Sequence, residues 1–551
     1  MTAQTANIAA YLPQMAATRP HALAIVFPQA RDAQGKRAYT HYTYRQLDQR
    51  SDEIARGLMG FGIQRGHRAV LMVRPSLEFF ALAFGLFKAG IVPVLIDPGL
   101  GVRQLKQCLA EAEPHAFIGI PQAHLARVLL GWGKPTVKRL VTVGRRYGWG
   151  GATLAQIAPR SSAAVPVLEP TQDSETAAIL FTSGSTGVAK GVVYAHGHFI
   201  AQVQLIQQTY DIQPGEIDLP TFPLFALFDP ALGMTTIVPD MDATKPAKVN
   251  PRKIHEAIED FGVTNVFGSP ALLQTVSLHA AANGIVWPTV KRVISAGAPV
   301  PAATLQRVQN MLTGPEAQIF TPYGATESLP LASIGSLEVL AETRAQTERG
   351  AGVCVGKIVA PMDVRIIEIT DDVLTDWADV RELAVGEIGE IAVTGPVVTQ
   401  SYLGRPKATQ LAKIRREGQI VHRMGDVGYF DAQDRLWFCG RKSHRVQLAD
   451  KTLFSTPIEE IFNVHPQVSR TALVGVLKNQ WMLPVLCVEL LASADADPVG
   501  VIAELRQIGR SNPDTQRIET FLVHPEFPVD IRHNAKIGRE KLAIWAAARL
   551  K

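Results

Sequence analysis

Ala177-Ala178-Ile179-Leu180-Phe181-Thr182-Ser183-Gly184-Ser185-Thr186-Gly187-Val188-Ala189-Lys190-Gly191-Val192-Val193-Tyr194 passes from an apolar run, through a Gly/Ser/Thr loop, into a second run rich in β-formers. That order predicts a strand, a loop and a second strand. Glycines let the backbone take positive φ and turn N–H groups inward, hydroxyls add donors, and Lys190 adds a cation, which together suit an anionic phosphate. A GxxxxGK[ST] loop opens a helix, and here neither that spacing nor that exit occurs, so kinase and P-loop ATPase readings weaken. Clusters of Gly, Ser and Thr also build ordinary surface loops. Taken alone, the segment leaves both readings open.

The flanking sequence supplies the architecture. Residues 69–73 (AVLMV) and 91–96 (IVPVLI) are strand-like and are separated by the helix-length FFALAFGLFKAG, a pattern that continues to about residue 440. Strands alternating with helices imply parallel or mixed sheets covered by helices. After residues 436–441 the polar Lys442-Ser443-His444-Arg445 reads as a linker. Beyond it lie apolar runs at 472–476 and 483–491, split by Lys478-Asn479-Gln480, then a helical stretch after Pro498, a strand at 521–523 and a helix-forming tail. The expected fold class is therefore α/β, with a large multi-sheet N-terminal domain over residues 1–442 and a small α+β C-terminal domain over 443–551.

Composition narrows the field. The 551 residues are 47% hydrophobic and 19% charged, enough apolar surface for a core and too little charge for disorder. The net charge of +5 comes without a basic stripe, which argues against a nucleic-acid partner; Arg145-Arg146 and Arg415-Arg416 read as solvated surface. Cys108, Cys354, Cys439 and Cys487 form neither a disulfide framework nor a CxxC site, which fits a cytoplasmic compartment. No basic leader precedes an apolar stretch at the N-terminus. The greasiest run, residues 79–87, stops at Lys88 and is about half a membrane span, so no transmembrane segment is expected.

Further motifs accompany the loop. Ser295-Ala296-Gly297-Ala298-Pro299 follows a strand at 293–294, and Tyr323-Gly324-Ala325-Thr326-Glu327 follows one at 319–322. Gly425-Asp426 and Gly440-Arg441 flank a turn, and Lys536 lies in Asn534-Ala535-Lys536-Ile537-Gly538-Arg539. Singly, Asp426 suits a turn, Glu327 a helix start and Lys536 an exposed surface. Jointly, in this order, they resemble the adenylate-forming superfamily of acyl-CoA synthetases, peptide-synthetase adenylation domains and beetle luciferases, from about residue 20 onward.

The resemblance implies ATP and Mg²⁺. Thr182, Ser183, Gly184, Ser185, Thr186, Gly187 and Lys190 would hold the β- and γ-phosphates, while Ala296, Gly297, Ala298 and Tyr323, with Gly324 beside them, would enclose adenine. Thr326 would donate to the α-phosphate, Glu327 would ligate Mg²⁺, and Asp426 would accept from the ribose hydroxyls with Arg441 close by. Lys536, carried by a mobile small domain, would bridge the carboxylate and the α-phosphate as the principal catalytic group.

Departures from that pattern refine the expectation. Ala226, in Phe222-Pro223-Leu224-Phe225-Ala226-Leu227-Phe228, stands where acyl-CoA synthetases usually carry histidine. Ser443 occupies the hinge place, Gln447 a lysine place and Met424 a threonine place, and residues 448–454 lack the usual glycine. Thioester formation is thereby put in doubt, with neutral drift as the competing explanation. The 222–228 stretch, the run from Tyr323 to Pro330 and the Gly-Arg-Lys-Ser-His-Arg-Val junction are most similar to the β-lactone synthetases of bacterial long-chain olefin biosynthesis. This resemblance implies a 2-alkyl-3-hydroxy fatty acid as small-molecule substrate, adenylation, ring closure by the substrate's own hydroxyl, and assembly with other olefin-pathway enzymes. Phe222, Phe225 and Phe228 fit an acyl channel, and core packing explains them equally well. The rival readings are a long-chain acyl-CoA or acyl-AMP ligase and a nucleotide-binding regulator without turnover; Glu327, Asp426 and Lys536 together argue against the latter.

Overall fold

The computed structural model describes residues 6–96, 98–161, 165–182, 189–491, 497–529 and 537–550. Two large sheets organise the chain up to residue 441. The first has seven strands, in the order Ala152–Thr153, Arg139–Thr142, Ala116–Gly119, Arg68–Met72, Val92–Ile96, Thr176–Thr182 and Lys190–Ala195. All neighbours are parallel except the last pair, which the phosphate-type loop connects as an antiparallel hairpin.

Alternation along these strands sorts their side chains. Val70, Val94, Ile179 and Phe181 pack on one face with Leu105, Cys108 and Leu109 of the helix Val102–Ala112. Ala69, Leu71, Leu95 and Ala178 pack on the other, against the helices Tyr44–Gly60 and Leu77–Lys88. Those helices begin where side chains can satisfy free N–H groups: Thr43 and Gln46 form a capping box, and Ser76 accepts from the Phe79 N–H. Lys88, which ends the greasy run, is itself buried and pairs with Asp48 at 2.6 Å and Asp52 at 2.7 Å.

The second sheet has fourteen strands. Leu23–Arg31, Thr235–Ile237, Ile217–Pro220, Asn265–Phe267, Arg292–Ile294 and Gln318–Ala325 run parallel. Ser328–Gly335, Val353–Ile358, Leu436–Arg441, Gln419–Phe430, Gly389–Thr394 and Asp363–Ile367 continue it antiparallel. The strand expected to end at residue 322 extends through Tyr323 to Ala325, because Tyr323 pairs across to Ala332. Gly425-Asp426 likewise lies inside a strand, not at its turn, with Asp426 opposite Arg441.

The C-terminal part is an α+β unit. Val468–Lys478 and Trp481–Leu490 form a hairpin turning at Asn479 and Gln480, both at positive φ, and Thr520–Val523 adds in parallel. Helices Ser455–Asn463 and Pro498–Arg510 cover one face and Arg539–Arg549 the other. The expected linker is tied down by ion pairs: Lys442 to Glu390 at 3.1 Å and Arg445 to Asp371 at 2.7 Å. All four thiols are free and buried, and burial raises the Cys108 thiol to about 11 and the other three to about 12. Among the described residues no helix is long and apolar enough to cross a membrane.

Candidate active site

Thr326 and Glu327 form the tip that joins Gln318–Ala325 to Ser328–Gly335, at the point where the large sheet changes from parallel to antiparallel. They do not start a helix. The turn is tight enough to demand glycine before it: a Cβ on Gly324 would sit 2.7 Å from the Ser328 carbonyl oxygen and 2.8 Å from Leu329 Cδ1. The tip is held by other segments. Tyr194 Oη donates to the Thr326 carbonyl, the Thr399 N–H donates to the Glu327 carbonyl at 2.9 Å, and Tyr402 Oη donates to Glu327 Oε1 at 2.6 Å. Lys190, at the exit of the Gly/Ser/Thr loop, places Nζ 4.9 Å from the centroid of the same Tyr402 ring. Burial lowers the Lys190 pKa, and the Glu327 carboxylate acts against that shift.

Ser295 follows Arg292–Ile294 and its N–H donates to the Phe320 carbonyl at 2.9 Å, after which Gly297 turns the chain at φ +97°. Across the site Asp426 is buried. Its Oδ2 accepts from Tyr323 Oη at 2.7 Å and its Oδ1 pairs with Arg441 at 2.8 Å. Burial, and then the Asp426 charge, push the Tyr323 phenol well above its usual range. Asp426 holds the Arg441 pKa up. The arrangement is a carboxylate–guanidinium–phenol cluster in the wall of a cavity, a set of polar groups that suits the vicinal hydroxyls of a sugar.

Lys190, Ala296, Gly297, Ala298, Tyr323, Gly324, Thr326, Glu327, Asp426 and Arg441 all line one cavity of 3340 Å³. Part of its lining is apolar: Phe80, Phe84, Phe222, Phe225 and Phe228 belong to it, and Ala226 is buried in the same apolar cluster. Phe225 also stacks on Phe267 with centroids 4.2 Å apart, so these rings are channel wall and core at once. Thr182 ends the entering strand. Ser183, Gly184, Ser185, Thr186, Gly187 and Lys536 lie outside the described residues; on either side of the last, Val529 and Ile537 pair and line the cavity. Ser443 and Gln447 are exposed.

Tyr194, Tyr402 and Lys413 were not legible as site residues. Lys413 is buried, donates to the Thr399 carbonyl, and has its pKa pushed down to about 7 by desolvation, with Glu327 acting in opposition. Among the described residues no cluster of three or more His, Cys, Asp or Glu could cage a metal ion. A lone carboxylate such as Glu327 beside a polyphosphate is nevertheless the donor set that Mg²⁺ accepts, because it retains water and takes phosphate oxygens.

A family described as AMP-binding enzyme matches residues 12–403, and the chain belongs to that family of adenylate-forming enzymes. The chain is 55% identical over 552 residues to an olefin beta-lactone synthetase of Stenotrophomonas maltophilia, covering 99% of each chain. It is 56% identical over 548 residues to an olefin beta-lactone synthetase of Xanthomonas campestris pv. campestris, covering 98% of this chain and 97% of that one. Among solved structures, an amide bond synthetase from Marinactinospora thermotolerans superposes with a TM-score of 0.80 at 21% identity, over 98% of this chain and 99% of that one.

Proposed function

We propose that the protein adenylates a long-chain 2-alkyl-3-hydroxy fatty acid with ATP and closes it to a β-lactone. The observation that carries this reading is the 55–56% identity, over nearly the whole chain, to named olefin beta-lactone synthetases. The site geometry supports its first half. Asp426, backed by Arg441, accepts from the ribose; Ala296, Gly297, Ala298 and Tyr323, with Gly324 beside them, enclose adenine; Lys190 and the loop from Thr182 to Gly187 meet the β- and γ-phosphates. Glu327 would hold Mg²⁺, and the ion, when bound, would supply positive charge against the polyphosphate. Thr326 donates to the α-phosphate.

A carboxylate oxygen attacks the α-phosphorus and pyrophosphate leaves, with Lys536 stabilising the developing negative charge. The 3-hydroxyl oxygen then attacks the acyl carbon, its proton is lost, and AMP departs with the electron pair of the broken anhydride bond. Four-membered ring closure needs a held geometry and exclusion of water, which a phenylalanine-lined channel supplies. The division of labour falls between residues 1–442, which hold the nucleotide and the acid, and residues 443–551, which carry Lys536 as a mobile lid. Cytoplasmic residence and assembly with other enzymes of the same lipid pathway follow from the same reading.

The test is product analysis by mass spectrometry after incubation of a 2-alkyl-3-hydroxy acid with ATP and Mg²⁺, with and without coenzyme A. The expected product is the acid less one water, in equal yield in both arms, with AMP and pyrophosphate. A thioester as the main product would replace this reading with acyl-CoA ligation.

A further inference from the structure

The helix Pro121–Leu130 presents two unlike stripes. Gln122, Ala123 and Ala126 line the cavity. Leu125, Val128 and Leu129, spaced so that they share another stripe, are 53%, 53% and 74% exposed. Single exposed leucines are commonplace, but a contiguous apolar stripe on a helix asks for a partner. The neighbouring helix Val102–Ala112 covers the same sheet face and begins with Val102, which is 56% exposed. The loop at residues 143–151 packs against the first helix through Trp149, stacked on His124 at 5.4 Å, and displays Tyr147 with Arg145 lying 5.3 Å over its ring.

Charge along this stretch is predominantly positive. Residues 102–150 contain eight Lys and Arg against two Asp and Glu, a net of +6, whereas the whole chain is only +5. The remainder of the molecule is therefore close to neutral. One of the two acids, Glu111, is already paired with Arg405 at 2.6 Å. Arg103, Lys106, Lys134, Lys138, Arg145 and Arg146 of the same stretch are exposed.

We propose that this face docks on an anionic lipid bilayer, with Leu125, Val128, Leu129 and Tyr147 entering the headgroup boundary and the basic side chains meeting lipid phosphates. An apolar stripe with an aromatic anchor and an excess of basic side chains is the pattern of interfacial binding. The helix that carries the stripe is also a wall of the cavity, so docking sets the cavity beside the membrane. The inference rests on this surface and not on which product the cavity makes.

Co-sedimentation of the full chain with vesicles, read without substrate, tests it. The chain should sediment with vesicles of phosphatidylglycerol and phosphatidylcholine and not with phosphatidylcholine alone. Raising salt to about 1 M, where the screening length falls to about 3 Å, should release it. Arg145→Glu with Arg146→Glu should weaken partition by at least about tenfold, and Leu125→Ser with Leu129→Ser should do the same, while ATP–pyrophosphate exchange remains at the wild-type level. Failure to sediment, equal sedimentation with neutral vesicles, or equal sedimentation of wild type and both variants would overturn the proposal. So would an oligomer that the leucine variant dissociates without altering vesicle binding, since the occupant would then be a second copy. Failure of lactone formation would leave all these outcomes readable.

Discussion

Asp426 shows how much one carboxylate can do when its neighbours are fixed: it accepts from Tyr323 at 2.7 Å and pairs with Arg441 at 2.8 Å on the adjoining strand. Asp426→Ala removes the acceptor proposed for ribose and strands a buried phenol. A charge-assisted hydrogen bond is worth about 1.5–3 kcal/mol, so ATP affinity, measured by titration calorimetry, should fall roughly 10- to 100-fold. Lys413 makes a different prediction. Its buried amine loses its proton near pH 7, whereas in the unfolded chain it holds that proton to about 10.4. Between those limits the unfolded state binds more protons, so Lys413 makes stability rise with pH and withdraws that stability as pH falls toward 7. Lys413→Met should flatten the increase in thermal midpoint between pH 7 and 10 relative to wild type. An unchanged slope would mean that the amine stays charged when folded.

The hairpin from Gln318–Ala325 to Ser328–Gly335 converts those residues into a site, and Gly324 is where it has no spare space. Gly324→Ala must push the Ser328 backbone away, a strain of about 1–3 kcal/mol, and it displaces Thr326 and Glu327 together. Adenylate formation, followed by pyrophosphate exchange, should drop by about tenfold or more, since misplacement of about 1 Å at a reacting centre costs up to about 100-fold. Only the motif at its tip could be read in advance, because Gly324, Thr326 and Glu327 lie within four consecutive residues; the returning strand Ser328–Gly335 was not expected. The hairpin's limits could not be read: Pro322 and Gly324 look like the end of a strand, yet pairing of Tyr323 with Ala332 carries the strand onward. Tyr402 and Tyr194 were illegible for a related reason. They reach Glu327 and Thr326 from 75 and 132 positions away, and a lone tyrosine gains that role only once distant strands are paired.

Across the molecule, the two parts meet at the cavity. Glu459 of the helix Ser455–Asn463 accepts from the Leu473 N–H at 2.8 Å and from Arg539 Nε at 3.0 Å, tying the terminal helix to the helix nearest the large sheet. Val529 and Ile537 are paired at the cavity wall on either side of the stretch that contains Lys536. The nucleotide-facing residues proposed here, Asp426, Arg441, Tyr323 and Lys190, all belong to the part before residue 442. Binding of ATP and stabilisation of the transition state should therefore be separable. Lys536→Ala removes a cation whose proposed work arises only as charge moves from the carboxylate to the α-phosphate, a loss of about 100- to 1000-fold in rate for a single stabilising donor. The same variant should bind ATP within about twofold of wild type, because no uniform-binding contact is lost. Titration calorimetry with ATP and pyrophosphate exchange, run on one preparation, check both halves. If affinity and exchange fall in parallel, Lys536 belongs to the ground-state nucleotide site and the proposed lid contributes no separate chemistry.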